Sequence, residues 1–299
     1  MVAGEIIGCD ADLRQEAAYL GRTIRWTDEG IELQSDVKHS HQLLKETGLT
    51  TCQAVTTPIS ASMEELDQGR PAMEPAAARR HRAGVARVVY MAQDRADLAV
   101  AACELAKSMA SPLQGDERRL QRVARYVRGH MTYSQVYKWQ DDTDYVRAVT
   151  DSDWATCPVT RRSNSGGMIF LGDHVIAQWC RVQPRVALSS AEAELYAGVR
   201  GISEMLGVVN LGKDLWGKSW GRLEHWVDAS ARRAIELRRG TGTIKHLSLK
   251  VLWIQEAIRE HQIAVIRIGR EKNVAHILAS AAKARELDEM LGRLQIQLR

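Results

Sequence analysis

The stretch from Tyr145 to Trp216 constrains this chain most, because its hydrophobic period changes once and abruptly. YVRAVTDSD alternates like a strand, with Arg147, Val149 and Asp151 on one face and Val146, Ala148, Thr150 and Ser152 on the other. GGMIFLGDHVIAQWC reads as two strands joined at Gly172-Asp173, a hairpin turn pair. From Ser190, a suitable N-cap, the pattern becomes helical, with Leu195, Val199, Ile202 and Leu206 at i, i+4, i+7 and i+11. RLEHWV is a further strand, ASARRAIEL a short helix and IKHLSLKVLWIQEAIREHQ a longer one. IAVIRIG is another strand, and VAHILASAAKARELDEMLGRL closes the chain as helix. The order β-β-β-α-β-α-α-β-α predicts an α/β (α+β) domain, a mixed sheet with helices packed on it.

Upstream, AYLGRTIRW and GIELQS are β-compatible runs separated by Thr-Asp-Glu-Gly, and predict a hairpin. SDVKHSHQLLKETG predicts a helix stopped at Gly48. Residues 56 to about 80, with Pro58, Pro71 and Pro75, read as a linker or loose loop. From Val85 to about Gly129 the pattern is helical, interrupted at Pro112. The five arginines of RRLQRVARYVRG form one basic face, either solvated or phosphate-contacting.

Composition narrows the class. With 41 Lys+Arg against 37 Asp+Glu in 299 residues, the net charge of +4 permits a nucleic-acid partner without requiring one. The five cysteines are scattered and never form a CxxC pair, which argues against zinc, a disulfide framework or a disulfide-linked partner. No apolar run approaches the roughly 18 residues of a membrane span, and the N-terminus lacks a signal-peptide pattern. The expectation is a soluble intracellular protein, cytoplasmic or nuclear, with no membrane partner.

Three carboxylates stand where a sheet domain builds sites. Asp151 lies where the first strand leaves the core, and Asp228 ends the strand LEHWV where a helix begins. Glu194 shares a helix stripe with Gly198 and Gly201, each of which weakens a helix by about 1 kcal/mol relative to alanine. A close approach of helix to sheet explains them, whereas Glu192 is expected in solvent. Each acid also has a bland reading: a turn-forming Asp-Ser-Asp, a glutamate favoured by the helix dipole, an N-cap. Together they fit two divalent ions about 3.5–4 Å apart, which need several hard oxygen ligands converging on one spot.

TDSDWATCPVTRRSNSGG resembles the opening motif of the ribonuclease H domain in copia-type retrotransposon Pol polyproteins, approximately S-D-A-D-W-A-G-D followed by T-R-R-S-T-S-G. VALSSAEAELYA is similar to that family's V-A-L-S-S-T-E-A-E-Y-I-A helix, WVDASARRAIEL to D-N-x-S-A-I, and IKHLSLKVLWIQEAI to T-K-H-I-D-I. Residues 17–58 resemble the last part of the reverse transcriptase of the same polyproteins, and VVYMAQDRADLAVAACELAKSMASP the helical connection after it. The resemblance implies a reverse-transcriptase fragment over 1–58, a linker over 59–84, a helical connection over 85–140 and a ribonuclease H-like domain with a mixed five-stranded sheet over 141–299. It implies Mg²⁺-dependent hydrolysis, with Mn²⁺ as a possible substitute, of the RNA strand of an RNA–DNA hybrid. Asp151, Glu194 and Asp228 are then the metal ligands, with Asp153 their neighbour in the motif. Arg161, Arg162 and Lys245 are candidate nucleic-acid contacts. Two features depart from the family. His276 stands in Ala275-His276-Ile277-Leu278 where A-D-x-L-T-K carries a fourth carboxylate, and Ser248 replaces the Asp of K-H-I-D-I. An imidazole can ligate a metal or carry a proton but is a poor substitute for a hard oxygen. The alternative reading is a catalytically impaired nucleic-acid-binding relic. No Tyr-x-Asp-Asp motif occurs, so the chain carries no polymerase site.

Overall fold

The structure, a computed structural model, describes residues 7–9, 13–60, 71–217, 219–228, 230–240 and 249–299. The chain divides into two compact units, residues 1–139 with 281–299, and residues 140–280.

The first unit is built on an antiparallel sheet. The expected hairpin has one strand more than its sequence pattern predicts. AYLGRTIRW contributes to β1 (Glu16–Tyr19) and β2 (Arg22–Thr27), with Leu20 and Gly21 at φ 49 and 81 turning the chain between them. β3 (Gly30–Gln34) pairs with β2 on one side and with β4 (Tyr133–Lys138) on the other. α1 (Val37–Thr47) is capped at its start by Asp36, whose carboxylate accepts from Lys38 N, and ends at Gly48, φ 68, as expected. α2 (Pro75–Met91) begins well before the expected Val85, because Pro75 supplies a favourable first helical turn rather than a break. α3 (Ala99–Lys107) and α4 (Gln114–Gly129) follow on either side of Pro112. The basic face of α4 is partly internal: Arg122 donates to Thr57 Oγ1, and the Nε groups of Arg125 and Arg128 donate to the carbonyls of Gln53 and Thr50. These arginines fasten the 50–57 segment to the helix. The expected closing helix is broken after residue 279; α9 (Ala284–Arg293) resumes it, and β10 (Ile296–Leu298) pairs with β4.

The second unit is built on a mixed sheet. β5 (Tyr145–Ser152), β6 (Asn164–Leu171) and β7 (His174–Val182) form an antiparallel meander, turning at Gly172 with φ 61. β8 (Arg222–Val227) and β9 (Ala264–Arg267) add in parallel beyond β5. α5 (Ser190–Trp216) covers one face, with α6 (Ser230–Leu237) and α7 (Leu249–Glu260) beside it. This strand order, three antiparallel strands extended by two parallel ones, is the mixed five-stranded sheet expected of a ribonuclease H-like domain. Its core joins Val146, Ala148 and Ile169 of the sheet to Leu195, Ile202 and Met205 of α5 and Ile254 and Ile258 of α7. The α5 N-cap is Ser189, one residue before the expected Ser190; its hydroxyl accepts from Glu192 N.

The last element of the second unit, α8 (His276–Ala279), packs against β5 and β6. Gly166 makes this possible, since a Cβ there would lie 2.5 Å from the Leu278 carbonyl carbon and 2.7 Å from Ala279 N. Among the described residues, no helix is long and apolar enough to cross a membrane. Among the described residues, no disulfide joins any of the five cysteines.

Candidate active site

The parallel pairing of β5 with β8 sets the site, because it brings the C-terminal ends of the two strands side by side. Asp151 stands at the end of β5, Asp228 directly after β8, and Glu194 in the first turns of α5, which crosses over β5. One carboxylate oxygen from each lies within 4.8 Å of the others. Asp151 and Glu194 are 5% and 7% exposed and Asp228 is half-buried, so the cluster is partly withdrawn from water. Three hard oxygen donors so close repel one another unless a cation joins them. The donor set is therefore compatible with a divalent metal ion.

His276 joins this group. Its Nδ1 lies 2.8 Å from Asp151 Oδ2, and the same ring is within 3.2 Å of the Ser280 hydroxyl. Gly166 is the register partner of Asp151 on β6, so the bare backbone that lets α8 approach the sheet also brings His276 to the carboxylate. Asn273, fully buried, braces the loop before α8: its amide nitrogen donates to the Thr150 carbonyl, and its oxygen accepts from Ala275 N.

Glu194 is tied to protein donors at both oxygens. Oε1 accepts from Ser152 N at 3.0 Å and Ser152 Oγ at 2.9 Å, and Oε2 accepts from Arg232 Nη1 at 2.9 Å. Arg232 comes from α6 and is completely buried. Its Nε donates to Glu236 Oε1 at 2.9 Å, and its Nη2 lies 2.5 Å from Thr150 Oγ1 and 2.7 Å from His225 Nε2. The two glycines of the α5 stripe serve this arrangement. A Cβ at 198 would lie 2.6 Å from Arg232 Nη2 and 2.7 Å from Glu236 Oε1, and one at 201 would collide with the Thr150 methyl group.

Burial pushes the Glu194 carboxyl up to about 8, opposed by Arg232 and reinforced by the charges of Asp151 and Asp228. Burial also favours the neutral form of Glu236, but His225 and Arg232 outweigh it and hold that carboxyl at about 2. His225 is lowered, chiefly by burial. Arg232 is held above its usual value despite burial, because Glu236 and Glu194 face it.

The residues singled out in the sequence thus separate into groups. Asp151, Glu194, Asp228 and His276 come together. Arg161 and Arg162 lie exposed in the turn between β5 and β6, Arg161 at φ 54. Lys245 and Ser248 lie outside the described residues. Asp153 does not enter the cluster: its carboxylate accepts from the Asn164 backbone and side-chain nitrogens and from the Thr156 hydroxyl. Glu192, expected in solvent, is 5% exposed and accepts from Leu188 N and Tyr196 OH, closing the start of α5. The periodic pattern carried no sign of Arg232. It is one of several arginines in a basic stretch, and only a buried ionic network distinguishes it from Arg233.

No protein-family model matches the chain. Over 186 residues it is 31% identical to the uncharacterized mitochondrial protein AtMg00810 of Arabidopsis thaliana, an alignment covering 62% of this chain and 75% of that protein. It is 28% identical over 194 residues to the retrovirus-related Pol polyprotein from transposon RE1 of the same plant, covering 64% of this chain and 13% of the polyprotein. The chain also matches 22% of positions over 274 residues in the Pol polyprotein from transposon TNT 1-94 of Nicotiana tabacum, covering 86% of this chain and 20% of that one. It thus spans a small part of the transposon polyproteins it resembles. Among solved structures, LC11-RNase H1 isolated from compost aligns with a TM-score of 0.37 at 16% identity, covering 50% of this chain and 99% of that protein. From its kinship to AtMg00810 and to these polyproteins, the chain belongs to the family of retrovirus-related transposon Pol polyproteins and AtMg00810-like proteins.

Proposed function

We propose that residues 141–280, the body of the domain expected over 141–299, form a ribonuclease H-type nuclease domain that hydrolyses the RNA strand of RNA–DNA hybrids with Mg²⁺, or with Mn²⁺ in its place. The observation that carries this reading is the convergence of Asp151, Glu194 and Asp228 at the ends of β5 and β8 and the start of α5. Kinship to retrovirus-related transposon Pol polyproteins supports it, together with the sequence motifs that resemble the ribonuclease H domain of that family. Residues 1–58 and 85–140 are then the end of a reverse transcriptase and its connection, and the protein works inside the cell, in the cytoplasm or the nucleus.

Asp151 and Asp228 are the residues best placed to hold a divalent ion, with Glu194 completing the cluster. A bound ion supplies the Lewis acidity that activates water and offsets charge on the phosphodiester. The remaining residues orient. Ser152 and Arg232 fix the Glu194 carboxylate, and His276 fixes Asp151 and stands within reach of a proton moving at that edge of the site. Arg161 and Arg162, exposed in the turn that follows β5, are suited to backbone phosphates, and a 2′-hydroxyl is the feature by which an RNA strand is told from DNA.

A second reading has a specific observation in its favour. His276 replaces a carboxylate and engages Asp151, while Arg232 engages Glu194, so two of the three acids are satisfied without a metal. That pattern fits a domain that binds nucleic acid with impaired turnover. Cleavage of a labelled RNA–DNA hybrid by the purified chain decides between them, with Mg²⁺, Mn²⁺ or EDTA and an Asp151→Asn control. Metal-dependent cutting of the RNA strand alone, absent in the control, is the expected result. Binding of the hybrid without cutting by the folded protein supports the second reading.

A further inference from the structure

Glu194 has the least to offer an incoming cation of the three clustered acids. A carboxylate accepts at about four lone-pair positions, and three donors already occupy Glu194: the Ser152 backbone, the Ser152 hydroxyl and Arg232. Arg232 is not free to swing aside. It is completely buried, held at Nε by Glu236 and at Nη2 by Thr150, and seated in the space left by Gly198. A guanidinium stays charged at every pH a protein tolerates and accepts no hydrogen bond. It is therefore a permanent positive charge on the inner side of the cluster.

Two divalent ions side by side repel strongly and need several anionic oxygens between and around them. Here one carboxylate of the three is committed to a fixed cation, and the remaining position is occupied by an imidazole on Asp151. We propose that Arg232 limits this site to a single divalent ion, held by Asp151 and Asp228, with Glu194 retained as an oriented but largely occupied neighbour. Arg232 is a positioning residue in this scheme, since it acts through Glu194. The inference rests on the metal-dependent reading above.

Mn²⁺ titration of the full chain, followed by the electron paramagnetic resonance signal of the free ion, tests it. The variants are Asp151→Asn, Arg232→Gln and the double variant Arg232→Gln with Glu236→Gln, which avoids leaving Glu236 buried and unpaired. The expected result is one Mn²⁺ per wild-type chain, lost in Asp151→Asn. In Arg232→Gln a second ion binds, or the first binds on the order of ten-fold more tightly, as loss of a nearby positive charge requires. In the double variant the two lost charges cancel, and release of Glu194 Oε2 from the guanidinium is expected to admit the second ion without that gain. Two ions on the wild-type chain overturn the inference and leave the metal site standing, as does a folded Arg232 variant with unchanged count and affinity. If circular dichroism shows both Arg232 variants unfolded, the wild-type count alone decides. No Mn²⁺ on the wild-type chain or any folded variant overturns the metal-dependent reading itself.

Discussion

His276 Nδ1 lies 2.8 Å from Asp151 Oδ2, joining residues 125 positions apart at the edge of the carboxylate cluster. The contact makes His276 an orienting partner of Asp151, and such partners typically contribute 10- to 100-fold to metal affinity or activity. His276→Ala is therefore expected to lower hybrid cleavage by about 10- to 100-fold. His276→Asp adds a hard oxygen donor and is expected to raise Mn²⁺ affinity on the order of ten-fold. Titration of both variants beside the wild type checks the two directions, and weaker Mn²⁺ binding by His276→Asp would count against a ligand role for this position.

The glycines of α5 are not equivalent. Gly198 faces Arg232 and Glu236, whereas a Cβ at Gly207 meets nothing within 4 Å. Gly198→Ala forces the buried ionic network apart and is expected to destabilise the protein by about 1–3 kcal/mol. Gly207→Ala is expected to stabilise it by about 0.5–1 kcal/mol, because alanine is the better helix former at an exposed position. Urea denaturation followed by helical circular dichroism measures both, and equal effects at the two positions would contradict the close packing at 198.

Two acids from different motifs, Asp153 and Asp228, should respond oppositely. Asp153 accepts three hydrogen bonds from Asn164 and Thr156, so Asp153→Ala leaves buried donors unpaired and is expected to lower stability by about 1–3 kcal/mol. Asp228 faces Asp151 and Glu194, and Asp228→Asn removes like-charge repulsion. Without added metal, that variant should unfold at the same temperature as the wild type or a higher one while failing to cut hybrid. A large drop in its melting temperature would instead assign Asp228 to capping α6.

Stability should depend on pH through two buried glutamates of opposite sign. Glu236 is held at about 2, below its unbound value of 4.5, so its contribution is complete above 4.5 and disappears as pH falls through 4.5 towards 2. The amount at stake is about 3 kcal/mol. Glu194 is raised to about 8, so its contribution is complete below 4.5 and is lost as pH rises through 8. The metal-free protein is expected to be most stable in mildly acidic buffer and to lose stability on both sides. Urea midpoints from pH 3 to 9 trace this profile, and Glu236→Gln should flatten its acid limb alone.

Much of the second unit was legible in its sequence. The alternation of YVRAVTDSD, the Gly172-Asp173 turn and the apolar stripe from Leu195 to Leu206 express local backbone geometry and the need to bury one face, and each element formed where its pattern lies. The motif residues marked Asp151, Glu194 and Asp228, and the close approach inferred from Gly198 and Gly201 has its explanation in Arg232 and Thr150. The first unit was less legible. Tyr133–Lys138 became a strand because β3 and β10 offered it partners on both edges, which six residues of local pattern do not encode.

What tertiary structure alone decided is who faces whom. Glu192 and Glu194 stand two positions apart on one helix, yet the first closes the helix start and the second meets Arg232 from α6, 38 residues away. His276 reached Asp151 only because Gly166 lets backbone lie on backbone. Periodicity is a property of neighbours along the chain, so sequence reveals which face of an element is apolar. Charge pairing inside a core depends on contacts between distant segments and on the burial that makes those contacts matter, and both exist only once the sheet and helices have packed.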